Sequence, residues 1–278
     1  GGMAERDGVT WEVYALQYGR SKSYPLADMV AGEEPGVMHP MGWFCWVLRR
    51  GRHAVIVDTG FHADHLLRRW CVTPVAQVQE LLAELDIDPR EVGDVVLTHG
   101  HADHTGNLAL FSRARIWMRE AEFMYVLSAM GPLRDLRWGV SLADYESMLI
   151  AANEDRLILL GNNQEPVLPG VLLCPGGGHT PGSQWVEVST AVGTLVLASD
   201  NAYLMRNVAE LQPVGSCVSR AQNEAALLRM RRSVSDLRRV IPGHDPQVAE
   251  LFPEIARGVY RLDVPLPAAD TSRSTSIN

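Results

Sequence analysis

The sequence predicts an α/β chain in which two sheets lie between layers of helix. Three observations carry that expectation. Strand-like segments come in two runs, one before residue 100 and one after residue 165; helical patterns follow each run; and histidines or an aspartate stand at the ends of several strands. That order fits paired sheets better than one doubly wound sheet, in which strands and helices alternate strictly.

Taken in order, Trp11 to Gln17, Met41 to Leu48 and His53 to Asp58 are short and rich in Val, Ile, Tyr and Trp, and Arg50-Gly51 reads as a hairpin turn. Pro74 is expected to open a helix in which Val75, Val78, Leu81, Leu82 and Leu85 recur at three- and four-residue spacing. Asp94 to Thr98 reads as a buried strand that delivers a histidine cluster into a loop. Residues from about 110 to 165 read as a helical insertion whose large side chains, such as Trp117, Phe123, Met130, Trp138 and Tyr145, suit core or homodimer packing, with the wall of a pocket for an apolar substrate as the alternative. Strands return at Val171 to Cys174, Gln184 to Val188 and Thr194 to Ala198. An amphipathic helix over Ala221 to Leu237, a strand at Arg239 to Ile241 and a closing helix from Glu250 to Val259 complete the pattern. At 278 residues the chain is long for an average domain but ordinary for one large α/β unit, so 3–262 is expected to form a single domain and 263–278 a flexible tail.

Composition removes several classes. With 46% hydrophobic and 21% charged residues the chain can bury a sizeable core, and disorder is excluded for its bulk. The 25 basic against 33 acidic residues leave a formal charge of −8, which repels polyanions, so nucleic acid is not the expected partner. No apolar run approaches the roughly 20 residues of a membrane span, and no signal-peptide pattern opens the chain. A cytoplasmic protein acting on a small molecule, without a membrane partner, is the expectation. Cys45, Cys71, Cys174 and Cys217 are dispersed without a C-x-x-C pair and read as buried thiols.

Of nine histidines, three fall within six residues, in Thr98-His99-Gly100-His101-Ala102-Asp103-His104. Residues two apart on an extended loop point the same way, so His99 and His101 can meet one ion, while Asp103 and His104, after the chain turns, can face a second. Three imidazoles and a carboxylate suit Zn2+, and Mn2+ and Fe2+ accept the same donors. The tetrapeptide HADH occurs twice, but the copy at 62–65 does not follow a buried strand, and His62 and His65 read as surface or supporting residues. Two ions require further donors from distant loops. His179 in the Gly- and Pro-rich run 175–182, Asp200 after an apolar strand, and His244 in Pro242-Gly243-His244-Asp245 are the candidates.

This ordered set, together with Asp58-Thr59-Gly60 after the third strand, resembles the metallo-β-lactamase superfamily over roughly residues 11 to 260. The resemblance implies an αββα sandwich with a two-metal hydrolytic site at one edge of the paired sheets. His99, His101 and His179 would hold one ion, Asp103, His104 and His244 the other, and Asp200 would bridge two Zn2+. The run His179-Thr180-Pro181-Gly182, Tyr203 three residues after Asp200, and Gly243-His244-Asp245 make the chain most similar to the N-acyl-homoserine lactonases within that superfamily. That likeness implies attack on a lactone carbonyl by metal-activated solvent, Tyr203 donating to the carbonyl oxygen, Asp103 shuttling a proton, and Asp58 orienting a histidine. It departs from familiar lactonases at Ala102, where an aromatic is common, and at Thr105-Gly106-Asn107.

Glyoxalase II-like thioester hydrolases share all seven ligands, so thioester or other small ester or amide hydrolysis is the alternative. Di-iron redox relatives carry a glutamate where this chain has His101, and β-lactamases proper lack an aspartate like Asp200; both differences argue for hydrolysis of another substrate. Arg113, Arg115, Arg134 and Arg137 read as a solvated face.

Overall fold

The long strands carry apolar side chains on both faces, and this dictates a layered fold. The computed structural model describes residues 8–130 and 139–267. Strands β1 (Glu12–Pro25), β2 (Met38–Arg50) and β3 (His53–Val57) pair antiparallel as neighbours, with the short helix α1 (Leu26–Met29) between the first two. Gly51, in the left-handed region at φ 59°, makes the expected β2–β3 turn. Helix α2 (Asp64–Arg69), the two-residue strand β4 (Thr73–Pro74) and helix α3 (Val78–Ala83) follow. The helix expected from Pro74 therefore begins four residues later. Pro74 instead pairs with Gly19 at the edge of β1, and a capping box between Gln77 and Glu80 starts α3.

Next come β5 (Asp94–Val96), the single-turn helix α4 (Ala102–Thr105), β6 (Arg115–Arg119), α5 (Glu120–Met130), α6 (Leu142–Asn153) and β7 (Leu157–Leu160). Strands β5, β6 and β7 extend the sheet parallel to β3. The segment 110–165 is thus not a purely helical insertion: α5 and α6 are helices, but two strands of the sheet frame them. Met118, Tyr145 and Met148 are core, Trp117 and Phe123 are partly covered, and Met124 is exposed. Trp138, Arg134 and Arg137 lie outside the described residues, as does the side chain of Met130.

A second sheet is built from β8 (Glu165–Leu168), β9 (Val171–Pro175), β10 (Gln184–Thr190) and β11 (Gly193–Ser199); after helices α7 (Met205–Glu210) and α8 (Arg220–Ser233), β12 (Val240–Pro242) adds parallel to β11. The closing helix expected over Glu250 to Val259 is a short helix α9 (Gln247–Leu251) and a hairpin, β13 (Glu254–Ala256) and β14 (Val259–Arg261). Pro253 stops the helix. Gly258, at φ 75° with Gln17 O 3.0 Å from where a Cβ would stand, turns β14 back onto β1. Strand order is β13-β14-β1-β2-β3-β5-β6-β7 in the first sheet and β12-β11-β10-β9-β8 in the second.

Period-two alternation sorts the side chains. Val13, Ala15, Phe44, Trp46, Leu48, Val55 and Val57 face Leu173, Val186, Val188, Leu195 and Leu197 of the other sheet, forming the central layer. Their neighbours Tyr14, Leu16, Trp43, Cys45, Val47 and Ile56 face helices on one outside, while Trp185, Val196 and Ala198 face α7 and α8 on the other. The result is the expected αββα sandwich. The chain stays anchored past Leu262: Asp263 accepts from Val13 N at 3.0 Å, and Val264 and Leu266 pack on the core. The rest of the expected tail, 268–278, lies outside the described residues. Cys45 and Cys174 are buried, but Cys71 is exposed at the turn after α2 and Cys217 is half-buried; all four are free thiols. Among the described residues no helix is long and apolar enough to cross a membrane.

Arg119, 1% exposed, staples the sheets from the end of β6. It donates to Gln184 Oε1 and Leu173 O at 2.8 Å and to Gly161 O and Asn163 O at 2.6 Å. Replacing it with methionine keeps the bulk but leaves these acceptors without donors. Arg119→Met should lower stability by about 3 kcal/mol, read as a lower urea midpoint with an unchanged slope.

Candidate metal centre

The strand ends converge on one point. Beyond β5, Leu97 and Thr98 carry the chain into His99-Gly100-His101, and the start of α4 then swings Asp103 and His104 to the same side. Gly100 is required here, since a Cβ would stand 2.1 Å from Val126 Cγ2 on α5. His179 hangs from the loop joining β9 and β10. Asp200 follows β11 where Ser199 takes a left-handed conformation at φ 47°, and His244 follows β12 past Gly243, whose Cβ would crowd Asp200 Oδ1 at 2.8 Å. All seven side chains singled out in the sequence are brought together, none more than 7% exposed.

They form two sets, each with ligand atoms within 4.8 Å of one another. In the first, His99 Nε2 and His179 Nε2 lie 3.0 and 3.1 Å from His101 Nδ1, and Asp200 Oδ2 is 3.4 Å from His179 Nε2 and 3.8 Å from His99 Nε2. In the second, His104 Nε2 is 3.0 Å from Asp103 Oδ2 and 3.1 Å from Asp200 Oδ1, and His244 Nε2 is 3.0 Å from Asp200 Oδ1 and 3.6 Å from Asp103 Oδ2. Asp200 thus offers one oxygen to each set.

Divalent cations fit these donors. His104 Nε2, Asp200 Oδ1 and His244 Nε2 are buried, face one another, and make no hydrogen bond of acceptable geometry among the described residues. Such an arrangement is costly unless a cation sits between the donors. Burial holds His99 well below the usual histidine range, lowers His179, and lowers His101 to about 3, so all three are neutral as ligands must be. At His104 burial pulls the same way but is outweighed by Asp103, Asp200 and Asp58, which raise it well above its usual value. Burial would raise Asp200, yet His244 and His104 keep it a carboxylate. Three carboxylates drawing positive charge into a buried site suit a divalent ion.

Buried groups behind the donors aim them. Asp58, at φ 61°, accepts from His104 Nδ1 at 2.7 Å, Thr98 N and Oγ1 at 2.8 Å and Ser199 Oγ at 2.9 Å, the orienting role expected of it. His244 Nδ1 lies 2.9 Å from Gly42 O, and His179 Nδ1 bonds Ser216 O. Thr105-Gly106-Asn107 is structural: Asn107 Nδ2 donates to Thr59 O at 2.8 Å, and a Cβ on Gly106 would stand 2.6 Å from Phe61 Cβ. His62 and His65 are exposed, and His62 bonds Asn107. Arg113 and Arg115 are exposed as expected, Arg115 pairing with Asp94 at 2.8 Å.

Sequence reasoning missed two features. Glu122, fully buried in α5, touches both histidine loops, and nothing in its helical surroundings marks it. Tyr24, Met41, Trp43 and Trp70 join Tyr203 and Gly139 in lining a narrow pocket that opens onto His101, Asp103, Asp200 and His244. Trp43 and Trp70 stack with ring centroids 5.5 Å apart, and Trp43 meets the His244 ring at 5.1 Å. A larger surface depression of about 670 Å³, bounded by Gln79 and Leu110, contains no histidine and lies apart from this chemistry. Tyr203 stacks at a tilt on His244, centroids 4.8 Å apart; burial and then Asp200 push its phenol well above the usual range, so it remains a proton donor.

Comparison with known proteins agrees with this geometry. The family model described as the metallo-beta-lactamase superfamily matches residues 43–244. An N-acyl homoserine lactonase of Bacillus cereus is 24% identical over 241 residues, covering 79% of this chain and 89% of that protein. Metallo-beta-lactamase domain-containing protein 1 of Xenopus laevis is 30% identical over 213 residues, 72% of this chain and 69% of its own. Among solved structures, a dizinc quorum-quenching lactonase in complex with a product superposes with a TM-score of 0.66 at 15% identity, over 92% of this chain and 95% of that one. Asp58→Asn should weaken zinc binding about 10- to 100-fold, measured by competition with a chromogenic chelator on protein whose circular dichroism is unchanged.

Proposed function

This chain belongs to the metallo-beta-lactamase superfamily and is a hydrolase, and we propose that it opens a lactone ring, an N-acyl homoserine lactone or a related small lactone, with two zinc ions. His99, His101 and His179 would hold one ion and Asp103, His104 and His244 the other, with one oxygen of Asp200 offered to each set. Mn2+ and Fe2+ suit the same donors. Bound zinc supplies Lewis acidity and lowers the pKa of a coordinated water from 15.7 to about 7.

The chain's own groups do the rest. The aromatic wall of Tyr24, Trp43 and Trp70 excludes bulk water from the pocket and seats the substrate. Tyr203 donates to the carbonyl oxygen as it gains charge. Asp103, 7% exposed and on the pocket wall, is kept a carboxylate by His104 and His244 against the opposing effect of burial. It accepts the proton of the attacking water and returns it to the ring oxygen as the ester C–O bond breaks. Water's oxygen ends on the acyl carbon and its protons are shared between the new acid and the new alcohol, which balances the reaction.

The observation that carries the lactone reading is Tyr203, a buried, protonated phenol in the wall of the same pocket as Asp103 and Asp200; the N-acyl homoserine lactonase relatives support it. The test is a panel of lactones, thioesters and β-lactams followed by proton release with zinc-loaded protein. Lactones should dominate, Tyr203→Phe should lower their kcat/KM by about 10²-fold, and a strong chelator should abolish turnover until zinc is restored. Turnover confined to thioesters would overturn the lactone assignment.

A further inference from the structure

Glu122 is 0% exposed and stands at the start of α5, a helix that supplies none of the seven donors. Its Oε1 accepts from Gly100 N at 2.8 Å, the amide between His99 and His101. Its Oε2 accepts from Thr180 Oγ1 at 2.7 Å and from Gly182 N at 2.9 Å, on the loop just past His179. One carboxylate therefore ties together two loops that are about 80 residues apart in the chain. The contact is built into the backbone: a Cβ on Gly182 would stand 2.1 Å from Glu122 N, and one on Gly100 would stand 2.1 Å from Val126 Cγ2, one turn along the same helix. Burial raises the Glu122 carboxyl, and Thr180, Gly100 and Gly182 oppose that rise.

The other half of the centre is held by different groups. His104 is aimed by Asp58, and His244 by Gly42 O; neither bonds Glu122. In the first half, Thr98 Oγ1, which also bonds Asp58, lies 3.1 Å from His99 Nδ1, and Ser216 O, 37 residues along the chain, meets His179 Nδ1; neither of these contacts ties the His99–His101 loop to the His179 loop as Glu122 does.

We propose that Glu122 is the positioning residue of the three-histidine half of the centre: its carboxylate sets the spacing between the His99–His101 loop and the His179 loop, and so the affinity for one of the two ions. This rests on the two-ion reading above. Glutamine cannot replace it, because three N–H or O–H donors converge on its two oxygens and the side-chain amide has one acceptor oxygen. Whichever way the amide turns, its NH2 meets a donor on one of the two loops.

The test is titration of the metal-free full-length protein with Zn2+ against a competing chelator, and with Co2+ followed by its visible absorbance, for wild type, Glu122→Gln and Thr180→Ala. Wild type should take two equivalents. Glu122→Gln should lose one selectively, by about 10- to 100-fold in affinity, with a changed Co2+ spectrum, while the second equivalent is unchanged. Thr180→Ala removes one of the three bonds and should weaken the same equivalent less, which keeps the test available if Glu122→Gln does not fold. Two undisturbed equivalents in both variants, or equal weakening of both ions in a folded variant, would overturn the proposal. Wild type that binds fewer than two equivalents would instead overturn the two-ion reading on which it rests.

Discussion

Bringing the ligand atoms of buried side chains from separate strand ends within 4.8 Å of one another, in each of two sets, is the constraint around which this molecule is organised, and Asp58 is where it is met most directly. Its carboxylate receives donors from the ends of β5 and β11 and from the α4 turn, so it links both sheets to the centre. Asp58 and Ser199 both take left-handed backbone that non-glycine residues avoid, and their side chains bond each other at 2.9 Å. Such conformations cost on the order of 1–3 kcal/mol each and persist where the surroundings over-determine them. Here the surroundings are two sheets packed through a continuous apolar layer, which gives the strand ends a rigid base.

The site also depends on space being withheld. Gly100, Gly182 and Gly243 each stand where a Cβ would collide with a helix or with Asp200 itself. The close approach they allow seals the histidines from water, and that sealing keeps His99, His101 and His179 neutral. The opposite pull on His104, from three carboxylates, divides the centre into a histidine-rich half and a carboxylate-rich half. Opposite the donors, the narrow pocket is lined by aromatics of β1, β2 and the turn after α2, elements that supply none of the seven grouped side chains.

The misread elements share a cause. β6 and β7 are five and four residues long and stand on either side of the helices α5 and α6, so a local pattern had too few periods to reveal them. Their strand character comes from parallel pairing with β5, a contact between distant residues. The β13–β14 hairpin is likewise specified by its pairing with β1, more than 200 residues earlier in the chain, which no local window contains. Pro74 illustrates the reverse case. A residue well suited to open a helix was taken up as an edge-strand partner of Gly19, and Gln77 with Glu80 began the helix instead.

The seven His and Asp side chains that come together, and Asp58 behind His104, were legible in the sequence because metal chemistry restricts residue type, and the cluster at 99–104 is dense enough to read locally. The near-continuous apolar runs of β2 and β11 likewise put apolar side chains on both faces of each sheet. Tertiary structure alone decided that Trp43 and Trp70 wall the pocket and that a helix glutamate ties two histidine loops. These are distances between chain-remote groups. A carboxylate in a helix looks the same in sequence whether it meets water or three buried donors, and only packing decides which.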